Sequence, residues 1–102
     1  MPDIFGNNKP QFTSHFLERY AERIFFVGKQ YAYSWIKNNY DKFYKDLFYR
    51  LNNSEVLNLS TTKYNYVYKK YGNDVRFLKY KKFIFVVRDF KNIVTFMRED
   101  EL

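Results

Sequence analysis

The chain contains no cysteine, and this single absence removes several kinds of chemistry. Disulfide cross-links, a thiolate nucleophile and a cysteine-ligated zinc site all require that residue. His15 is the only histidine, so a metal site would have no second imidazole, and the three glycines are too scattered to form a phosphate-binding loop. We therefore expect the protein to need no metal and no cofactor.

Long hydrophobic runs are also missing. No apolar stretch approaches the roughly 18 residues that a membrane-spanning helix requires, and the amino-terminal residues lack the charged and then apolar plan of a signal peptide. These absences predict a soluble, cytoplasmic protein with no membrane partner. A chain of 102 residues has the size of one compact domain, so we expect residues 1–102 to form a single domain.

Acidic residues are scarce between residues 61 and 92, and the whole chain carries a net charge of +7. Against Asp74 and Asp89, this segment holds nine basic residues, namely Lys63, Lys69, Lys70, Arg76, Lys79, Lys81, Lys82, Arg88 and Lys91. Such a localised excess predicts a polyanionic partner, most commonly a nucleic acid. The closing stretch 98–102 is acidic instead, and we expect its carboxylates to lie solvated at a frayed end.

Aromatic residues are abundant, at 24% of the chain. One explanation is that exposed rings stack on nucleic-acid bases. The other is that Tyr, Phe, Asn, Lys and Ile, all frequent here, are favoured by AT-rich coding. Both explanations stay open at this point.

The first helix follows an irregular lead-in over residues 1–12. Thr13 or Ser14 can cap its first backbone N–H groups, and Gly28 is expected to end it. Its apolar face has helical spacing and comprises Phe16, Leu17, Tyr20, Ala21 and Ile24.

A second helix is predicted from about Tyr31 to Leu51. Its apolar stripe comprises Ile36, Tyr40, Phe43, Leu47 and Leu51. The polar residues 52–54 terminate this helix. Residues 13–53 are therefore expected to form a helical hairpin.

Period-two patterns and apolar runs follow over residues 55–98, where we predict an antiparallel sheet. The strands are expected in "EVLNLS", in "KYNYVYKK" with Tyr64, Tyr66 and Tyr68 on one side, in "VRFLKYK", in "KFIFVV" and in "IVTFMR". A hairpin turn is predicted at "YGND", where Gly72 and Asn73 suit positive φ. The doubly buried central strand is expected to be "KFIFVV". The fold class is α+β, with two N-terminal helices packed on a four- to five-stranded, mostly antiparallel sheet.

Three cationic side chains recur at four-residue steps on the first helix. This spacing stacks His15, Arg19 and Arg23 on one face, a turn apart. Glu18 and Glu22 precede the two arginines, so an alternative interpretation is an exposed helix face with ion pairs and no functional role.

This ladder, a second helix and an antiparallel sheet ending in "VVRDFKNIVTFM" resemble the small RelE-like domains of the barnase, EndoU, colicin and RelE ribonuclease superfamily, which occur in bacterial toxins and phages. The resemblance covers "SHFLERYAERI" and "FIFVVRDFKNIVTFM", about a quarter of the chain. The family's usual glycine after the second arginine is replaced by Ile24.

The resemblance implies metal-independent RNA cleavage, in which a ribose 2′-hydroxyl attacks the adjacent phosphate. In that chemistry His15 would act as acid or base, while Arg19 and Arg23 would clamp the phosphate. A second acid or base would come from Glu18 or from the sheet, where the candidates are Tyr80, Lys81, Arg88 and Thr95. A relative that keeps binding and has lost catalysis is the alternative.

Nucleic acid, with RNA favoured over DNA, is expected to bind cations of the strand region, namely Lys69, Lys70, Lys79, Lys81, Lys82 and Arg88. In "KYKK" we expect Lys79 and Lys81 to share one strand face and Lys82 to lie on the other. An edge strand protected from aggregation by lysines is the competing explanation.

The rival function is a non-enzymatic module, for example a phage-encoded one, that docks on a host protein or nucleoprotein. A nuclease needs His15, Arg19 and Arg23 to face the same concavity as the sheet cations. A docking module would instead expose Tyr and Phe side chains on a flat patch.

Overall fold

The structure is a computed structural model that describes residues 2–58, 61–72 and 74–101, with only the backbone described at 61–64 and 67. Within these ranges there are four α-helices, namely α1 (Ser14–Phe25), α2 (Ala32–Asn38), α3 (Tyr40–Asn52) and α4 (Thr61–Tyr71). The strands are β1 (Gln11–Phe12), β2 (Glu55–Val56), β3 (Val75–Tyr80), β4 (Phe83–Arg88) and β5 (Asn92–Arg98). Short 3-10 turns cover Asp3–Phe5, Lys29–Tyr31 and Glu99–Glu101.

The five described strands form one sheet in the order β1-β5-β4-β3-β2. All neighbours are antiparallel except β1 and β5, which run parallel. The predicted mixed α+β class and mostly antiparallel sheet are confirmed, whereas two helices were too few. The lead-in is also more regular than predicted, because Gln11–Phe12 adds an edge strand beside Asn92 and Ile93.

Helix α1 begins where the sequence predicts. The hydroxyl oxygen of Thr13 accepts a hydrogen bond from the Phe16 backbone N–H at 3.1 Å, and the same hydroxyl donates to the Val94 carbonyl at 3.1 Å. The cap therefore also fixes α1 to β5. The helix ends at Phe25 rather than at Gly28, because Phe26 adopts the left-handed conformation with φ 56°.

The predicted second helix is interrupted at Asn39. The side-chain amide of Asn39 donates to the Trp35 carbonyl at 2.9 Å, which competes with helical backbone bonding and separates α2 from α3. The predicted stripe is buried in both helices except at Tyr40, which is 61% exposed because it lies in the first turn after the break.

The segment "KYNYVYKK" is helix α4 and not a strand. Tyr64, Tyr68 and Tyr71 also recur at helical spacing, so the alternation of tyrosines was ambiguous. The segment "YGND" consequently connects α4 to β3 and is not a hairpin turn. Gly72 has the predicted positive φ, at 93°, while the prediction for Asn73 lies outside the described residues.

A tight hairpin joins β3 to β4. Tyr80 pairs with Phe83, which leaves Lys81 and Lys82 as a two-residue loop, with Lys81 at φ 53°. The prediction that Lys81 and Lys82 continue a strand is therefore wrong. Glu99 donates its backbone N–H to the Lys82 carbonyl at 2.7 Å, so the residues after β5 pack against this loop.

Strand β4 is central and buried on both faces, as predicted. Phe85 and Val87 belong to the core shared with the helices, while Ile84 and Val86 pack on the opposite face, beside Phe77. The helix-side core is rich in stacked and tilted rings, which joins α1, α3 and the sheet into one packed unit. Much of the aromatic content is thus core, and the fully buried rings are Phe5, Phe16, Tyr20, Phe43, Phe85 and Phe96.

Candidate nucleic-acid interface

The histidine and arginine ladder lies on α1 with unequal exposure. His15 is exposed in the first turn, and the Arg19 side chain is 39% exposed. The Arg23 side chain is only 21% exposed because it faces the residues that follow β5. The three positions share a helix side, but their surroundings differ.

Carboxylates already pair with both arginines. Arg19 contacts Glu22 at 3.4 Å within the helix, and Arg23 reaches across the fold to Glu101 at 2.7 Å. The Nε atom of each arginine is buried and has no hydrogen-bond acceptor among the described residues. The arginines of this helix face are therefore ion-paired, as the alternative interpretation expects. Their partners are Glu22 and Glu101, and Glu18 is not one of them.

The ladder as a whole does not meet the sheet cations in one concavity, because only Arg23 lies at their end of β5. His15 lies two residues after Thr13, whose hydroxyl is bound to β5 at the Val94 carbonyl. Arg23 lies about 12 Å further along the helix axis, given 1.5 Å per residue, and faces the other end of β5. Among the proposed second acids, Thr95 is buried in the sheet, and the Tyr80 ring packs under the Arg50 guanidinium at 5.5 Å.

A shallow depression at the β3–β4 hairpin gathers some of the predicted cations. Its volume is about 640 Å³, and its lining includes the four cations that we call the hairpin surface: Lys79, Lys81, Lys82 and Arg98. Lys81 and Lys82 are exposed and lie over the Tyr80 and Phe83 rings at 5.5 Å and 5.8 Å. Neither lysine forms a salt bridge with any carboxylate in the described ranges. His15 does not line this depression.

The remaining predicted cations lie at the opposite end of the sheet. Arg88 pairs with Val75, at the start of β3, and is about 17 Å along β4 from Phe83, at 3.4 Å per residue. Lys69 and Lys70 are exposed near the end of α4, and α4 precedes the start of β3 in the sequence. Arg88 contacts Asp89 only loosely, at 3.9 Å, and both side chains are about half exposed. The six predicted residues therefore form two groups.

Sequence reasoning missed Arg98 as a surface cation and missed the ion pairs of the carboxylates beside it. Residues Glu99–Glu101, which we call the acidic turn, form an ordered 3-10 turn, so the prediction of a frayed solvated end is wrong. Glu99 binds Lys79 at 2.5 Å, and Glu101 binds Arg98 at 3.3 Å. The i, i+3 spacing of Arg98 and Glu101 was the available signal.

A second missed surface is a groove of about 240 Å³ between α1 and the helices α2 and α3. We call it the aromatic groove, and its apolar lining is Leu17, Tyr33, Ile36, Tyr40 and Tyr44. The Tyr40 and Tyr44 rings are 4.6 Å apart at their centroids. Burial, followed by the neighbouring Tyr40, raises the pKa of the Tyr44 phenol. The i, i+4 spacing of Tyr40 and Tyr44 was the signal in the sequence that could have indicated the aromatic groove.

Among the residues described, no group of three or more His, Cys, Asp or Glu side chains could hold a metal ion. No helix in the described ranges is both long enough and apolar enough to cross a bilayer. No protein-family model matches this chain, and neither a curated protein nor a solved structure is significantly similar to it. The similarity to RelE-like domains therefore stays a prediction from the sequence.

Proposed function

We propose that this protein is a nucleic-acid-binding domain that contacts backbone phosphates through the hairpin surface. The supporting observation is the pair of lysines in the two-residue β3–β4 loop, which are exposed and lack a salt bridge to the described carboxylates. Lysines that are already solvated and unpaired can approach phosphates without first breaking an ion pair, and each neutralised phosphate releases counterions.

RNA is the polyanion that we favour, because the RelE-like resemblance implies it. We propose binding without cleavage. His15 is the only imidazole of the chain, and it lies at the opposite end of α1 from Arg23 and the hairpin surface, so one phosphate could not contact all of them. Binding to RNA would place the protein in the cytoplasm, which is the host cytoplasm if a phage encodes it.

The test is fluorescence anisotropy of a labelled, mixed-sequence 20-nucleotide RNA, at low salt and without added metal. The double variant Lys81→Ala/Lys82→Ala is compared with Lys9→Ala/Lys29→Ala, which removes the same charge from exposed positions elsewhere. We expect the hairpin variant to bind at least tenfold more weakly than the control. Equal weakening would show that only net charge matters, and no binding by the wild type would refute the proposal.

Recovered RNA from the same samples decides between binding and cleavage. Intact RNA after long incubation is the result that the proposal expects. Cleavage by the wild type that is lost in His15→Ala would support the nuclease that the resemblance implies, and would overturn binding without catalysis.

Protein docking is the second candidate function, and the aromatic groove is the observation that favours it. Tyr33 and Tyr40 are 82% and 61% exposed at its rim, although burial of a large aromatic side chain away from water is favourable. Tyrosines in such grooves are typical anchors of protein interfaces. A host protein partner would therefore use this side of the molecule, away from the hairpin surface.

Variants of the groove separate the two candidates. Tyr33→Ser/Tyr40→Ser should leave RNA affinity within about twofold of the wild type, because these residues do not line the hairpin surface. A tenfold loss would mean that RNA bases stack on the groove tyrosines, so that the two surfaces form one interface.

A further inference from the structure

The Glu101 carboxylate is held by three donors from two elements of the fold. One oxygen lies 2.7 Å from an Arg23 Nη2 atom on α1. The other oxygen accepts hydrogen bonds from the Arg98 backbone N–H at 3.0 Å and from the Arg98 Nε atom at 3.3 Å. The side chain itself is 28% exposed. This arrangement is a small oxyanion-binding site whose occupant belongs to the same chain.

The same donors suit a phosphate group. Guanidinium groups and a backbone N–H bind phosphate oxygens with the geometry that they use for carboxylates. The Nε atom of Arg23 is buried and has no acceptor in the described part of the chain, so Glu101 does not satisfy this guanidinium completely. A phosphate offers more acceptor oxygens and more negative charge than the carboxylate that it would replace.

The electrostatics of Glu101 agree with an anion site. Burial by itself would raise the pKa of this carboxyl group. The hydrogen bond from the Arg98 backbone and the charges of Arg23 and Arg98 outweigh burial, so the pKa is lowered. The site therefore favours a negative charge between its two guanidinium groups.

The site is continuous with the hairpin surface. Arg98 lines the same depression as Lys81 and Lys82, and its side chain is 50% exposed. The acidic turn also pairs Glu99 with Lys79 at 2.5 Å and Asp100 with Arg98 at 3.5 Å. Carboxylates thus pair with Lys79 and Arg98, while the loop lysines have no salt bridge to a described carboxylate.

We propose that Arg23 and Arg98 form a binding site for a nucleic-acid backbone phosphate, and that Glu101 occupies this site in the unbound protein as an intramolecular competitor. A bound phosphate would displace the Glu101 carboxylate and extend the contact from the hairpin loop to α1. The identity of the ligand rests on the proposed function, but the existence of an oxyanion site does not. Arg23 would then contribute to phosphate binding without any catalytic role for His15.

The first arm of the test compares Glu101→Gln with Asp100→Asn. Both changes add the same charge within one turn and both remove a carboxylate from the Arg98 Nε atom, but Asp100 is 76% exposed, and only Glu101 also contacts Arg23 and the Arg98 backbone N–H. Freeing a site that is mostly occupied should tighten binding of the labelled RNA about three- to tenfold in Glu101→Gln relative to Asp100→Asn. Adding Arg23→Ala to Glu101→Gln should remove this gain.

The second arm uses inorganic phosphate as the probe and does not depend on RNA. Arginine Nε–Hε resonances of the full chain are followed by ¹H–¹⁵N NMR during a phosphate titration, after matching far-UV spectra have shown that the variants are folded. We expect the Arg23 and Arg98 signals to shift at lower phosphate concentration in Glu101→Gln than in the wild type or in Asp100→Asn.

The two arms keep the two proposals apart. If Glu101→Gln and Asp100→Asn behave alike in both arms, Glu101 is not a competitor and the inference is wrong, even where the wild type binds RNA. If no variant binds RNA but phosphate shifts Arg23 and Arg98 selectively in Glu101→Gln, the oxyanion site is supported and the nucleic-acid function is refuted.

Discussion

Asp46 connects α1 to α3 through one polar network, and its removal is expected to destabilise the fold strongly. The Tyr20 hydroxyl donates to the Asp46 carboxylate at 2.5 Å, and Arg50 contacts the same oxygen at 2.9 Å. Tyr20 is fully buried. Asp46→Ala would leave that hydroxyl without its acceptor inside the core and would remove the one carboxylate that pairs with Arg50 among the described residues.

The magnitude follows from the groups involved. A hydrogen bond to a charged group contributes about 1.5–3 kcal/mol, and a buried donor left unpaired costs about 1–3 kcal/mol. Asp46 and Arg50 are 30% and 24% exposed, so water recovers part of this loss. We expect Asp46→Ala to lower the free energy of unfolding by about 3 kcal/mol, or the Tm by about 12–24 °C for a domain of this size.

Chemical denaturation with far-UV circular dichroism measures this loss. Asp41→Ala is the matched control, because Asp41 is exposed in the first turn of the same helix and its truncation should cost only a few tenths of a kcal/mol. A double-mutant cycle with Tyr20→Phe should give a coupling energy of about 1 kcal/mol. Equal stability of Asp46→Ala and Asp41→Ala would refute the network as a connection between the helices.

Three further predictions test other parts of the molecule. Phe43→Ala should cost about 3–5 kcal/mol in denaturant titrations because the ring is fully buried, whereas the same change at Phe48, which is 37% exposed, should cost much less; similar losses would contradict the register of α3. Burial, and then the hydrogen bond to Asp46, raises the pKa of the Tyr20 hydroxyl above its usual 10.0. The contribution of Tyr20 to stability is therefore complete below pH 10 and declines above it. Tyr20→Phe should consequently lose less stability at alkaline pH than the wild type. His15→Ala should change the free energy of unfolding by less than about 0.5 kcal/mol and leave RNA affinity unchanged; a large loss of affinity would restore His15 to the binding site.

The sequence predicted the elements whose pattern permits one solution. The near-continuous apolar run at 83–87 favoured burial on both faces, and β4 is the central strand of the sheet. Thr13 or Ser14 was predicted to cap the first helix because hydroxyl residues satisfy free N–H groups, and the bond is present at Thr13. Local chemistry and hydrophobic pattern agree at these positions.

Prediction failed where one pattern fits two structures. Tyrosines at 64, 66 and 68 satisfy a strand, but those at 64, 68 and 71 satisfy a helix equally well. Only the pairing of strands in the sheet distinguishes the strand from the helix. Residues Glu55–Val56 pair with β3, so no strand from residues 61–71 lies between β2 and β3.

The candidate sites were only partly predictable because their residues are distant in the sequence. Lys81 and Lys82 were identified from local charge alone. The contact between Arg23 and Glu101 spans 78 positions, and no local pattern indicates it. The aromatic groove similarly needs Leu17 from α1 beside Tyr40 from α3, which only the packing of the helices brings together.

The salt dependence of RNA binding tests the central claim most directly. Affinities of the wild type and of Lys81→Ala/Lys82→Ala for the same single-stranded RNA are measured across a series of salt concentrations. If each loop lysine neutralises one phosphate, the logarithmic slope should become shallower by about 1.4 in the variant, from about 0.7 per phosphate. Lys9→Ala/Lys29→Ala should keep the wild-type slope. Identical slopes for all three proteins would contradict phosphate binding at the hairpin surface.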